Sequence, residues 1–66
     1  MNVVVNGSER EVPAQTTVAT LLDGLGLNRD GVAVAVDGQV VPRTEHGETQ
    51  LQDGQKVEVI RAVGGG

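Results

Sequence analysis

The 66-residue chain has no cysteine, phenylalanine, tyrosine or tryptophan, and only one histidine, one methionine and two prolines. Without cysteine there is no disulfide staple and no thiol nucleophile, and a lone histidine cannot complete a zinc site of the usual Cys/His spacing. Without aromatic rings there is no platform on which bases or sugars could stack. Nine acidic residues against five basic ones give a formal net charge of −4. That sign is wrong for a phosphate backbone or an anionic membrane face, so no nucleic-acid or membrane partner is expected, and a partner with a basic surface is favoured. No run approaches the ~18 consecutive apolar residues of a membrane span. The segment Met1-Asn2-Val3-Val4-Val5-Asn6 lacks the basic-then-apolar order of an export signal, so the expected compartment is the cytoplasm. Absent export, the acceptor pattern Asn6-Gly7-Ser8 has no glycosylation chemistry available to it.

What the chain does have is branched aliphatics: 13 valines, five leucines and one isoleucine. A chain of this length makes one small domain that hides only about 60% of its unfolded surface, so stability must come from burial and function must sit outside. Met1 to Val5 is a β-branched run ending at Asn6-Gly7, the dipeptide best suited to a two-residue hairpin. Ser8 to Val12 follows as a charged edge strand closed by Pro13. Val18, Leu21, Leu22 and Leu25 then fall at i, i+3, i+4 and i+7, the apolar stripe of a helix, with Thr16 or Thr17 as its N-cap and Gly26 to end it. Val32 to Val36 reads as a strand, Asp37-Gly38 as a turn, and Gln39 to Val41 as the return strand. Pro42 to Gln50 reads as a polar, irregular loop, with Leu51 as its anchor in the core and Asp53-Gly54 as a further turn. The last strand is expected over Lys56 to Val63. This order predicts an α+β β-grasp: a mixed sheet of four to five strands, one helix on one face, and the final strand parallel to the first at the sheet centre. Both central strands, being valine-rich, are expected to be buried. Residues 1–63 are expected to form the domain, and Gly64, Gly65 and Gly66 a flexible tail.

Those three glycines are unusual because glycine loses the most conformational freedom on ordering and adds no packing area. A frayed end is the plain explanation. Yet the last strand runs almost directly into them without polar filler. On the other reading they carry the carboxylate of Gly66 about 10 Å from the body at extended spacing. Having no Cβ, they could enter a channel closed to other residues. A free α-carboxyl group titrates near about 3.5, so at neutral pH it is an anion and a poor electrophile. Nucleotide transfer from ATP would turn its oxygen into a good leaving group for a sulfur or nitrogen nucleophile, with a partner supplying the machinery.

The chain resembles the ThiS family, the sulfur carriers of thiamine biosynthesis within the ubiquitin-like β-grasp proteins. The likeness covers nearly the whole length: Val5-Asn6-Gly7, Thr17-Val18, Leu21-Leu22 and Leu25, Val32-Ala33-Val34-Ala35-Val36, and Val40-Val41-Pro42-Arg43. It continues through Leu51, Asp53-Gly54 and Val57-Glu58-Val59-Ile60 to Gly65-Gly66. The resemblance implies a carrier and not an enzyme. Its Gly66 carboxylate would be adenylated by an adenylyltransferase related to ubiquitin-activating enzymes, converted to a thiocarboxylate, and used by thiazole synthase for the thiazole ring. ATP and a sulfur donor would act through those partner enzymes, with no cofactor bound by this chain. Two positions depart from the family pattern: His46, where tryptophan is frequent, and Asp37, where asparagine is frequent. The same exposed diglycine would also serve a carrier for molybdopterin synthesis or a ubiquitin-like modifier joined to lysines. The former usually approaches its glycines through Phe-Pro-Pro, where this chain has Ile60-Arg61-Ala62-Val63.

Arg43, Arg61 and Val63 are candidates for partner docking, against the plainer reading of the arginines as solvated surface residues worth under about 1 kcal/mol each in ion pairs. His46 has no nearby Cys, Ser or second His and reads as a loop residue. Gly24-Leu25-Gly26 opens like a dinucleotide fingerprint, but Arg29 stands in place of the third glycine and the segment ends a helix instead of starting one. Glu9, Glu11, Glu45 and Glu48 read as solvated surface.

Overall fold

Positive backbone angles mark where the chain reverses. Asn6 and Gly7 have φ of 50° and 84°, and Asp37 and Gly38 have the same pair of values, which is what a two-residue type I′ hairpin requires. The computed structural model of the chain describes residues 1–27 and 31–61. In chain order it has β1 (Asn2–Val5), β2 (Ser8–Glu11), α1 (Val18–Leu25), β3 (Val32–Val36), β4 (Gln39–Val41), a single 3₁₀ turn (Arg43–Glu45) and β5 (Lys56–Arg61). The strands form one sheet in the order β2-β1-β5-β3-β4. β5 runs parallel to β1 and antiparallel to β3, and both hairpins are antiparallel. The mixed sheet, the single helix and the parallel central pair make a β-grasp, as the element order predicts. β2 stops one residue short of the expected end, at Glu11. Ala62 and Val63 of the expected last strand lie outside the described residues, as do Gly64, Gly65 and Gly66.

The helix is held at both ends. Thr17 is the N-cap: its Oγ1 accepts from the Thr20 N–H at 3.1 Å. The two earlier N–H groups, on Val18 and Ala19, donate to the carbonyls of Thr49 and His46, each at 3.0 Å. Gly26, at φ 72°, closes the other end: its N–H donates to the Asp23 carbonyl and that of Leu27 to the Leu22 carbonyl, the Schellman arrangement. The apolar stripe then buries Val18, Leu21 and Leu22, with Leu25 half-buried beside them.

The core is aliphatic throughout: Val3, Val5, Val18, Leu21, Leu22, Val34, Val36, Leu51 and Val57. Each such side chain contributes about 1.5–3 kcal/mol by leaving water, most of which chain entropy offsets. Leu51 is the anchor the sequence suggests, and its N–H donates to the Thr16 carbonyl at 2.8 Å.

Two expectations need correction. The central strands are buried on one face only. Along β5, Val57 is buried while Ile60 is 63% exposed, and Val40 on β4 is 73% exposed. The reason is alternation: one eight-residue helix covers one side of the pleat, and residues of opposite parity face away from it. The second correction concerns the polar segment after β4. It contains the 3₁₀ turn, and His46 at its end is buried, only 7% exposed, with Nε2 3.1 Å from the Val41 carbonyl. Because its carbonyl also caps the helix, His46 ties this segment to α1. No described helix is long and apolar enough to cross a membrane.

Candidate functional site

The last strand, β5, enters the sheet flanked on both sides and leaves it flanked on one. At its start Lys56 and Val57 pair with Val4 and Val5 of β1, while Val57 and Glu58 pair with Val36 and Ala35 of β3. At its end Ile60 and Arg61 pair only with Ala33 and Val32, because the chain of β1 has already turned away at Asn6-Gly7.

Side chains from both hairpin turns fill the gaps in this ladder. The Asn6 N–H donates to the Val57 carbonyl at 2.9 Å. The Asn6 side chain then bonds the next row: its Oδ1 accepts from the Val59 N–H at 2.8 Å and its Nδ2 donates to the Val59 carbonyl at 3.2 Å. At the other end of the strand the Asp37 N–H donates to the Lys56 carbonyl at 2.8 Å. The Asp37 carboxylate accepts from the Lys56 N–H at 3.0 Å through Oδ1 and from the Gln55 side chain at 3.1 Å through Oδ2. Sequence reasoning identified both residues as turn formers and missed both as strand clamps. The signal that could have found them is that each is a polar side chain in a left-handed turn beside the strand expected at the sheet centre.

The candidate docking arginines come off the same end of the sheet. Val41, Val34 and Val59 share one row across β4, β3 and β5. Arg43 follows Val41 by two residues and Arg61 follows Val59 by two, both in exposed positions, so their strands leave that row about 10 Å apart, two strand spacings. Val63 and the glycines proposed as the reactive tail lie beyond Arg61, outside the described residues. Among the described residues no cluster of three or more His, Cys, Asp or Glu side chains could hold a metal ion. His46 is committed to the Val41 carbonyl through Nε2. The distinctive feature of this end is mechanical: a strand held by paired hydrogen bonds up to Val59, then two exposed residues, Ile60 and Arg61, at its end.

Comparison with known proteins places this geometry. The family model for the ThiS family matches residues 3–66. The sulfur carrier protein ThiS of Escherichia coli (strain K12) is 30% identical over 66 residues, covering 100% of both chains. The crystal structure of a thiamine biosynthesis protein (ThiS) from Geobacter metallireducens superposes with a TM-score of 0.83 at 35% identity, covering 100% of both chains. A thiazole synthase of Paramagnetospirillum magneticum is 38% identical over 66 residues, but the chain spans only 20% of that relative's length.

Proposed function

The chain belongs to the ThiS family, and from that premise we propose that the carboxylate of Gly66 is the group that becomes charged with sulfur. The protein is a sulfur carrier of thiamine biosynthesis and not a catalyst. One oxygen of the Gly66 carboxylate attacks the α-phosphorus of ATP on an adenylyltransferase of the ubiquitin-activating type, and pyrophosphate leaves. A sulfide-level sulfur nucleophile then attacks the acyl carbon, AMP departs with that oxygen, and the chain ends in a thiocarboxylate. Gly64 and Gly65, lacking Cβ atoms, pass through the enzyme's channel. Arg43, Arg61 and Val63 dock the body at the exit end of the sheet.

The observation that carries this reading is the extent of the likeness: the family match runs from the first strand through the terminal glycines, at residues 3–66. The assignment of thiazole synthase as the recipient is supported by the relative in which a segment similar to this whole chain is part of a thiazole synthase polypeptide. Joining two modules in one chain raises the concentration each experiences of the other, which benefits proteins that must meet at every turnover. With ATP and both enzymes as partners, the protein works in the cytoplasm.

A rescue experiment tests the assignment. In a host lacking its own carrier, the full chain should restore growth without thiamine, and a variant without Gly65 and Gly66 should not. Rescue by the truncated chain overturns the proposal. Restored molybdoenzyme activity without thiamine rescue moves the protein to the molybdopterin pathway, and lysine-linked conjugates surviving mild reduction make it a modifier.

A further inference from the structure

The Asn6 side chain does for β5 what another residue of β1 would do. It offers a donor and an acceptor in one plane, as a peptide group does, and both are used on Val59, at 3.2 and 2.8 Å. Paired backbone contact between β1 and β5 ends at Val5 and Val57, so without this amide the N–H and carbonyl of Val59 on that side have no strand to bond. Asp37 in the other hairpin shows why the residue type matters. There the backbone N–H of Asp37 supplies the donor and the carboxylate needs only to accept, so an acceptor-only side chain suffices. At Asn6 the backbone N–H is spent on Val57, and the side chain must supply both.

Val59 is also the last point at which β5 is gripped from two sides, two residues before the strand ends at Arg61. Resting on the sulfur-carrier reading, we propose that Asn6 is a positioning residue for the activation step: by clamping Val59 it fixes the line along which the strand leaves the body and so aims the tail. Losing the clamp leaves the end of β5 attached through β3 alone, and a strand end held on one side opens locally at low free energy. The body still docks, but fewer docked molecules present the tail to ATP, and misplacement of a reacting group by ~1 Å is enough to lose a large factor in rate.

The test compares Asn6→Gly with Asp37→Gly. Glycine keeps the positive φ of each turn and removes only the side-chain bonds. Pyrophosphate release is followed with the pathway's adenylyltransferase and ATP at a temperature where both variants are fully folded, alongside hydrogen exchange at the Val59 amide. For Asn6→Gly the Val59 amide should exchange faster and kcat should fall roughly threefold or more, with KM within about twofold, because a smaller productive fraction of the bound complex lowers kcat whereas partial unfolding raises apparent KM. Asp37→Gly, which loosens the far end of the strand, should keep kcat. Asn6→Asp retains the acceptor for the Val59 N–H and should fall between Asn6→Gly and the unmodified protein. An unchanged kcat in Asn6→Gly, an effect on KM alone, or an equal loss of kcat in Asp37→Gly overturns the positioning role. Absence of pyrophosphate release from the unmodified protein overturns the carrier reading itself.

Discussion

The first and second halves of β5 are made of similar residues and meet opposite fates. Val57 sits between two strands and is 1% exposed, and Lys56 before it is held by β1 on one side and by Asp37 on the other. Ile60 and Arg61 have one partner strand, and Ile60 is 63% exposed. The same alternation of apolar residues therefore buys stability at one end of the strand and accessibility at the other. Two things separate them: Ile60 lies on the face of the pleat that the helix does not cover, and the turn at Asn6-Gly7 takes β1 out of the sheet before β5 has finished. On the proposed reading, in which the end of the chain enters another protein, that division is needed, because a tail packed into its own domain could not leave it.

Leu22→Ala, at a helix position 1% exposed, should lower stability by about 2–5 kcal/mol. That is a large part of the total for a domain of this size, and thermal melting will measure it. Val57→Ala removes less volume from the same core and should cost about 2 kcal/mol. Ile60→Ala, three residues further along the same strand, should change stability by less than about 1 kcal/mol. A melting loss for Ile60→Ala equal to that for Val57→Ala would mean that the face of the sheet turned away from the helix is packed after all. Gly65→Ala should have the smallest effect, within about 0.5 kcal/mol, while adenylation of the tail falls sharply because the added methyl group obstructs the channel. A large melting shift in Gly65→Ala would contradict a tail lying outside the core.

Local chemistry made much of this fold readable in the sequence. Asn6-Gly7 and Asp37-Gly38 form hairpins because short polar residues and glycine tolerate positive φ, and the spacing of Val18, Leu21, Leu22 and Leu25 defines a helix face whatever it packs against. Placing the last strand beside the first followed from the connections. What could not be read locally depends on register across the chain. The Asn6 amide meets a residue 53 positions away, and no window around Asn6 reveals that the strand beside it has run out of partners. His46 is polar in a polar segment and would ordinarily be solvated, yet it is buried, with its ring nitrogen on the Val41 carbonyl and its own carbonyl accepting from the Ala19 N–H at the start of the helix. The exposure of Val40 and Ile60 was within reach, since a single helix cannot cover both sides of a sheet.

At the candidate site, the arginines were legible as residues and not as a pair. Arg43 and Arg61 are far apart in sequence and reach the same end of the sheet only because β4 and β5 both run antiparallel to β3. The three terminal glycines stand out in the sequence by composition alone, and they lie outside the described residues.

The central claim is that the last carboxylate of the chain is a reaction centre, and intact-mass measurement of the protein isolated from cells containing the activating system tests it most directly. The expected result is a species heavier by the exchange of one oxygen for one sulfur, localised to Gly66 by fragmentation and lost when Gly66 is deleted. Unchanged mass under those conditions, or a sulfur adduct that persists after deletion of Gly66, would contradict it.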